Sequence, residues 1–225
     1  MVQSKESRIK QKIAYFSMEI ALSNDIHTYS GGLGVLAGDT IRSSADLRLP
    51  LVGVTLISKK GYFKQELTRE GWQIEHEDPW DPSNFMKLLP DEIEVPIQSR
   101  DVLVRAWLYN VTSQTGGVVP VYGLDTDVEG NNSEDREITS FLYGEDERYR
   151  LKQEIVLGIG GVRMLEKLGL EVRKYHMNEG HSSLLAFELL RKYEMDIDKV
   201  RNICILTTHT PIEAGHDKFS YKLVI

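Results

Sequence analysis

The sequence has very little cysteine: Cys204 stands alone among 225 residues, which excludes a fold stapled by disulfides. Cys204 lies in an apolar run without an adjoining basic residue, and this favours a buried, unreactive thiol over a nucleophile. The sequence also lacks a stretch of about 18 apolar residues that could span a bilayer. Residues 1–12 are polar and charged and lack the apolar core of a signal peptide. These absences predict a soluble, reducing, cytoplasmic protein without a membrane partner.

Positive charge is also scarce. The formal net charge is −7, from 27 Lys and Arg against 34 Asp and Glu. The densest basic stretches, around Lys59–Lys60 and Arg148–Lys152, are short and mixed with acids, as on an ordinary solvated surface. An acidic chain without a strong basic patch is a poor nucleic-acid binder. The sequence therefore predicts no nucleic-acid partner.

Apolar runs alternate with amphipathic stretches at both ends of the chain. Short continuous apolar runs are typical of strands buried on both faces of a parallel sheet. Strand–helix–strand alternation predicts a doubly wound α/β domain. At the start of the chain, residues 13–18 and 51–57 are predicted strands, with a predicted helix between them at residues 35–47. Near the end, residues 173–177 and 203–207 are predicted strands, with a predicted helix between them at residues 181–193.

The middle of the chain has a different pattern. Residues 102–111 and 118–124 alternate like strands, and several prolines precede them, so an antiparallel insertion or edge is predicted. Residues 136–168 are predicted to be two helices with a break near Gly144. Glycine inside a helix costs roughly 1 kcal/mol relative to alanine, so a glycine cluster there predicts a close helix contact. That cluster is Gly158, Gly160 and Gly161.

A glycine-rich segment, residues 30–34, follows the first strand and leads into a helix expected to begin near Val35. Glycines let a ligand approach the backbone, and a helix start attracts anions such as phosphate. The spacing is neither the G-x-G-x-x-G dinucleotide fingerprint nor a Walker A loop. A tight turn with close helix–strand packing explains the glycines equally well.

Two polar motifs follow strands in the last third of the chain. Asn178 and Glu179 follow one strand, and His209 follows the next, so the three lie at one sheet edge if the strands are parallel. Asn178 or Glu179 could instead simply cap the next helix. His176 and His181 lack the H-E-x-x-H spacing of a zinc site, and no metal site is predicted. No Ser or Cys stands in a nucleophile elbow.

In combination, these motifs resemble those of α-glucan phosphorylases, in order and approximate spacing, over nearly the whole chain. The compact start of the chain is similar to the short bacterial and archaeal branch of that family. The segments that carry the resemblance are residues 30–39, 51–54, 61–65, 124–127, 150–154, 178–181 and 208–211.

The resemblance implies a two-domain glycosyltransferase B architecture with an active site between two Rossmann-like domains. Residues 1–225 would be the N-terminal domain of this type, incomplete and with an antiparallel insertion. The family's pyridoxal phosphate is bound mainly by the C-terminal domain, which would be missing here. No lysine of this chain matches the motif of the Schiff-base lysine, so the chain alone is expected to be inactive.

The resemblance also implies the reaction and the site residues. The reaction is phosphorolysis of α-1,4-glucan by inorganic phosphate, which yields glucose 1-phosphate. Backbone N–H groups of the glycine segment would line the phosphate and glucose site, and its residues are Gly31, Gly32, Leu33 and Gly34. His209 would contact the sugar near its 6-hydroxyl. Asn178 and Glu179 match the family's polar pair, Glu19 is a further candidate for a site-lining carboxylate, and His181 would support the site.

Two other functions stay open from the sequence. Nucleotide-sugar glycogen and starch synthases share a Gly-Gly-Leu loop and a histidine after a strand. A non-catalytic glucan-binding module would result if the natural chain ended near Ile225. A homodimer is expected from the family resemblance alone.

Overall fold

The computed structural model describes residues 11–144, 146–211 and 216–224, which form an α/β fold around a seven-stranded sheet of order β5-β6-β7-β2-β1-β8-β9. The strands are β1 (Gln11–Phe16), β2 (Leu51–Leu56), β3 (Lys64–Leu67), β4 (Gln73–His76), β5 (Lys87–Ile97), β6 (Arg100–Thr112), β7 (Val118–Asp125), β8 (Glu171–Asn178) and β9 (Cys204–Thr207). The helices are α1 (Gly32–Asp46), α2 (Ser133–Arg136), α3 (Glu147–Ile155), α4 (Gly161–Lys167), α5 (Leu185–Lys192), α6 (Ile197–Ile203) and α7 (Tyr221–Val224). The polar start predicted for residues 1–12 lies mostly outside the described residues.

Five strands of the sheet, from β7 to β9, run parallel. They include the four predicted from apolar runs, so the α/β prediction is confirmed, although the strand bounds differ by a few residues. Alternate residues of β1 enter two separate cores, because successive side chains of a strand point to opposite faces. Phe16 joins the core beneath α4 and α5, and Tyr15 joins the core beneath α1. The parallel part of the sheet is therefore covered on both faces at β1, whereas the edge strand β9 is largely exposed.

The other edge of the sheet is antiparallel, as predicted. Strand β6 pairs with both β5 and β7 in antiparallel register. Strand β5 itself was not predicted, and it contains two of the prolines that precede β6, Pro90 and Pro96. This is possible because β5 is the edge strand, where a missing ladder hydrogen bond costs little. The separate hairpin of β3 and β4 was not predicted, and both of its strands are exposed.

The helices predicted over residues 136–168 differ from those observed. After the short helix α2, residues 137–144 form turns and bends, and regular helix resumes only at Glu147 in α3. The Gln153 amide donates to the carbonyls of Ile138 (3.0 Å) and Phe141 (2.7 Å), so side-chain bonds satisfy turn carbonyls that a helix would pair internally. Residues 137–144 therefore form a packed turn in place of the predicted helix.

The predicted close contact at the glycine cluster is confirmed. Residues Val156–Gly160 form a π-helical turn between α3 and α4. A Cβ on Gly158 would lie 2.6 Å from the Leu185 nitrogen, and one on Gly161 would lie 2.5 Å from the Phe16 ring. The glycines thus let this helical segment approach both the sheet and α5. None of the helices in the described ranges is long and apolar enough to cross a bilayer.

Candidate functional site

The candidate site lies where the carboxyl ends of β1, β8 and β9 meet. Strand β1 is followed by α1 on one face of the sheet, and β8 is followed by α5 on the other. The gap between β1 and β8 is therefore a topological switch point, the position where open α/β sheets bind ligands. The parallel pairing of Asn178 with Thr207 confirms that the two polar motifs share this edge.

The glycine segment starts a helix earlier than the sequence predicts. Gly31 is the N-cap in extended conformation, and Gly32, Leu33 and Gly34 form the first turn of α1, so the predicted helix start near Val35 is wrong. Low helix propensity of glycine explains the misplaced boundary. No side chain among the described residues caps this end of α1. The first-turn N–H groups and the positive end of the helix dipole are thus directed at the sheet edge.

The glycines of this segment fall into two classes. A Cβ on Gly34 would lie 2.4 Å from the Tyr29 Cβ and 2.9 Å from a Glu19 carboxylate oxygen, so packing requires glycine there. A Cβ on Gly31 or Gly32 would meet no described atom within 4 Å. Packing explains Gly34, while Gly31 and Gly32 border open space that a ligand could enter.

Glu19 organises the segment before α1. Its side chain is 4% exposed, and one carboxylate oxygen accepts the backbone N–H groups of Ser30 (2.8 Å) and Gly31 (3.1 Å). The other oxygen accepts the hydroxyl of Tyr143. Burial and the neighbouring Glu19 carboxylate raise the pKa of Tyr143, so its hydroxyl stays protonated and remains a donor.

Asn178 and His209 are in direct contact. The Asn178 Oδ1 lies 3.0 Å from the His209 Nε2, and the Asn178 amide donates to the Ser17 hydroxyl at 3.0 Å. This direction assigns the proton of His209 to Nε2. Asn178 is 1% exposed, whereas His209 is exposed. Asn178 therefore orients a histidine that solvent or a ligand can reach.

Glu179 holds the chain that carries His209. Its carboxylate accepts the N–H groups of His209 and Thr210 (3.2 Å) and the hydroxyl of Thr208 (3.1 Å). Burial alone would raise the pKa of Glu179, but these hydrogen bonds and the nearby His209 lower it below its usual value. The backbone of Glu179 has φ +65°, a conformation costly for a side-chain-bearing residue. The carboxylate bonds offset that strain.

Capping does not explain the polar pair. Glu179 is the N-cap of the short 3-10 helix Gly180–Ser182, yet its side chain makes no capping bond there. The Asn178 amide bonds across the sheet edge to Ser17 and His209. The capping alternative is therefore wrong for both residues.

Ser17 and Glu19 connect the polar motif at Asn178 with the glycine segment, although the sequence did not single out Ser17 and gave Glu19 only as a further candidate. The Ser17 hydroxyl accepts from Asn178 and donates to the carbonyl of Glu19 at 2.6 Å, while the Glu19 side chain binds Ser30 and Gly31. Ser17 follows a buried strand directly, and that position was the available signal. Tyr143 is distant in sequence, and no pattern in the sequence points to its contact with Glu19.

His176 and Cys204 have structural surroundings. His176 packs edge-on against Tyr15, with ring centroids 5.0 Å apart, and its Nε2 lies 2.7 Å from the Thr207 hydroxyl, as expected of a sheet histidine. Cys204 is partly buried, and burial raises the pKa of its thiol, in agreement with an unreactive cysteine. In the part of the chain that the structure describes, no group of three His, Cys, Asp or Glu side chains could hold a metal ion.

Comparisons with known proteins agree with these motifs. The sequence model of the family described as "Carbohydrate phosphorylase" matches residues 19–133. The chain is 43% identical to the maltodextrin phosphorylase of Thermococcus litoralis, over 93% of this chain and 26% of that protein. It is 40% identical to the glycogen phosphorylase of Mycobacterium tuberculosis, over 94% of this chain and 26% of that protein. It is 35% identical to the glycogen phosphorylase of Aquifex aeolicus, over 97% of this chain and 33% of that protein.

The coverage is unequal in these pairs. The matches cover almost the whole of this chain but only about a quarter to a third of each of these relatives. The matched family region contains Glu19 and the glycine segment, while Asn178 and His209 lie outside it and are reached by the pairwise matches. The similarity thus includes both clusters of the candidate site.

Proposed function

The chain belongs to the carbohydrate phosphorylase family, and from that premise we propose that it is the N-terminal, substrate-facing part of an α-1,4-glucan phosphorylase. In phosphorolysis, a phosphate oxygen bonds to C1 of the terminal glucose while the bond from C1 to the bridging oxygen breaks. The bridging oxygen takes a proton, and glucose 1-phosphate leaves. The observation that carries the proposal is one switch point that combines an uncapped helix start with the Asn178–His209 pair.

The helix start is suited to the phosphate group. Open space above Gly31 and Gly32 lets an anion approach the first-turn N–H groups of α1, where the helix dipole favours negative charge. The Glu19 carboxylate opposes that anion, because it already binds the N–H groups of Ser30 and Gly31. Cations to balance it are proposed to come from the rest of a longer protein. The chain alone should therefore bind phosphate weakly.

The other side of the switch point is suited to the sugar. An exposed imidazole held by a buried amide can hydrogen-bond a hydroxyl with little loss of side-chain entropy. We propose that His209 contacts the glucose near its 6-hydroxyl, with its backbone carbonyl facing the developing positive charge. Asn178 and Glu179 act mainly by positioning His209, because their polar atoms are already engaged.

The residues of this chain do not fit pyridoxal phosphate by themselves. Lys59, which follows the carboxyl end of β2, pairs with Asp125 (3.0 Å) and Asp127 (2.9 Å), and Lys152 pairs with Glu134. We propose that residues 1–225 form a Rossmann-like N-terminal domain of a glycosyltransferase B architecture. The cofactor and its Schiff-base lysine would then belong to the remainder of the longer protein, and a homodimer stays a prediction from the family.

Backbone amide shifts in NMR spectra test the proposed site. Maltopentaose together with phosphate should shift the amides of residues 31–34 and 209, with millimolar affinity. Gly32→Ala should reduce the phosphate shifts without lowering stability, because its Cβ meets open space. An unchanged response in Gly32→Ala, or shifts only outside these residues, would contradict the site. A response to ADP-glucose but not to phosphate would favour a nucleotide-sugar synthase.

A second test concerns activity. The purified chain, supplied with maltodextrin, phosphate and pyridoxal phosphate, should release no glucose 1-phosphate. Release by the chain alone would overturn the proposed dependence on a further domain. Binding of maltodextrin without any effect of phosphate would favour a glucan-binding module.

A further inference from the structure

A second group of ionisable side chains lies beside the candidate site and has no role in the proposed reaction. Glu154 on α3 is 2% exposed, and Arg150 lies one helical turn earlier. His181 comes from the turn after β8, and Asp217 comes from the segment that precedes α7. Glu154, His181 and Asp217 line one cavity of about 200 Å³. Three parts of the chain thus direct titratable groups into a common space.

Asp217 is the carboxyl group of this cluster that contacts an arginine and a histidine. Its carboxylate lies 3.4 Å from the Arg150 Nε and 3.3 Å from the His181 Nε2. Arg150 is also fixed by the ring of Tyr143, whose centroid lies 4.2 Å from the guanidinium carbon. A carboxylate with an arginine and a second donor is stabilised in its charged form.

Among the residues that the structure describes, Glu154 has no hydrogen-bonded cation, and the charge of Arg150 lowers its pKa less than burial and Asp217 raise it. Its Oε1 is buried without a hydrogen-bond partner among the described residues, and its neighbour is the Asp217 carboxyl group. Burial and then the contact with Asp217 raise the pKa of Glu154 to about 9. Glu154 is buried and the Asp217 side chain is 25% exposed, and two carboxyl groups in contact do not both ionise at low cost when one of them is buried. A protonated Glu154 could donate its hydroxyl to the Asp217 carboxylate.

The histidine completes the arrangement as a neutral side chain. Burial, with a smaller contribution from Arg150, lowers the pKa of His181. Its Nε2–H can donate to Asp217, and its Nδ1 is then a buried acceptor without a partner within the described ranges. The Ser182 hydroxyl is also buried without a hydrogen-bond partner among the described residues. A polar cavity of this size has room for ordered water, which would bond to such atoms.

We propose that Glu154 and Asp217 share one proton, and that this proton fixes the segment 216–219 onto α3 beside the strand ends that carry Asn178 and His209. Glu154 and Asp217 are positioning residues in this proposal, which does not depend on the proposed reaction. The cavity would be a buried proton site. When the shared proton is lost, two carboxylates repel each other, and the ion pair with Arg150 is left to hold the segment on α3.

Other charged groups lie near the pair on neighbouring elements. His216 lines the cavity from the same segment as Asp217, and Glu19 and Glu179 act on His181 from the candidate site. Strand β5 packs against α3 but contributes no side chain to the lining that the structure describes. These groups leave Arg150 and His181 as the donors to Asp217, and Glu154 without a cation of its own.

Carboxyl carbon NMR of the chain tests the shared proton. In a pH titration with labelled glutamate and aspartate, one glutamate Cδ signal should remain in its protonated position at pH 7. That signal should be missing in Glu154→Gln, which keeps the shape and an N–H donor. If every glutamate titrates in the ordinary acidic range, or if Glu154→Gln removes an ordinary signal, the proposal is overturned.

The partner is tested by Asp217→Asn, with Glu92→Gln on the exposed face of β5 as the control that should change neither the Glu154 titration nor the exchange of this segment. In Asp217→Asn the Glu154 signal should titrate at lower pH, and the amides of residues 216–219 should exchange faster with solvent. Glu154→Gln should keep the wild-type exchange protection of this segment at pH 7 and retain it at higher pH, where the wild type loses part of it. An unchanged Glu154 titration in Asp217→Asn would show that burial alone holds the proton, and would overturn the sharing.

Discussion

Two buried glutamates, Glu188 on α5 and Glu154 on α3, have opposite surroundings. Their exposed fractions are 3% and 2%. Glu188 accepts two bonds from Arg163 (2.9 and 3.0 Å) and two from Arg191 (3.1 and 2.6 Å). Glu154 faces another carboxyl group, Asp217. Equal burial therefore coexists with opposite charge environments.

The pKa of each residue follows its partners. Burial alone would raise the pKa of Glu188, but the two arginines lower it below its usual value. Burial and Asp217 together raise the pKa of Glu154 to about 9. A lowered pKa adds stability above the unfolded-state pKa that is lost as the pH falls. A raised pKa favours folding at low pH, and that advantage is lost as the pH rises toward the folded-state pKa.

The largest expected effect in this comparison is that of Glu188→Gln. It leaves Arg163 and Arg191 without their anion, and hydrogen bonds to charged groups contribute about 1.5–3 kcal/mol. We expect a loss of about 2–3 kcal/mol in the free energy of unfolding at pH 7, measured by urea denaturation. The loss should shrink as the pH falls below about 4.5, the ordinary pKa of glutamate, because the stability that comes from a lowered pKa is lost there. Glu92→Gln, on the exposed face of β5, is the control and should change stability by about 0.5 kcal/mol or less.

Glu154→Gln should have the opposite sign. The wild type keeps a proton that the unfolded chain releases, so its stability falls as the pH rises from about 4.5 toward 9, the two pKa values of Glu154. We expect the variant to be more stable than the wild type by about 1–2 kcal/mol at pH 8, since each pKa unit corresponds to about 1.4 kcal/mol before solvent and relaxation effects. The two proteins should converge near pH 4. A pH-independent difference would contradict the proton at Glu154.

A third buried carboxylate, Glu19, sharpens the comparison because its donors are uncharged. Tyr143→Phe removes one of them, the hydroxyl that binds Glu19. The expected loss is about 1 kcal/mol, the typical value of a single hydrogen bond. Thermal unfolding of the variant beside Tyr149→Phe, whose hydroxyl donates to the Glu137 carbonyl, would show whether the contact with a carboxylate is stronger than one with a backbone carbonyl. Equal losses would mean that the charge of Glu19 adds little.

The smallest effect concerns the two arginines of Glu188. The Arg191 side chain is 63% exposed, so its removal in Arg191→Ala should cost about 0.5 kcal/mol or less. The Arg163 side chain is 25% exposed and also donates to the Glu94 carbonyl at 2.8 Å, so Arg163→Ala should cost more. Urea denaturation of both variants measures the order. The reverse order would show that solvent screening does not govern this site.

The parts of the fold that sequence patterns predict are those decided locally. Strands β1, β2 and β9 contain apolar runs, and the parallel pairing of β8 with β9 brings Asn178 and His209 together as expected. Strand β5 was missed because prolines are tolerated at a sheet edge that the sequence does not reveal. The turns of residues 137–144 were taken for helix because side-chain bonds from Gln153 replace the helical ones.

The parts that depend on distant residues were not predictable. Glu19 was identified only as a lesser candidate, although it links the start of α1 to Tyr143 across more than half of the chain. The pairing of Glu154 with Asp217 leaves no pattern in either segment, because it comes from two distant segments that line one cavity. The sequence thus indicates which polar residues follow the strands, whereas tertiary packing decides the partner of each of them.

The open space over Gly31 and Gly32 has a consequence for how this sequence could evolve. Alanine in place of a glycine that needs no special backbone shape stabilises a protein by about 0.4–1 kcal/mol through the unfolded chain. Gly32 is helical and Gly31 is extended, so both positions accept alanine. Drift under selection for folding alone would therefore tend to replace these two residues and to retain Gly34. In descendants that lost the ligand, the first two glycines would be expected to disappear before the third.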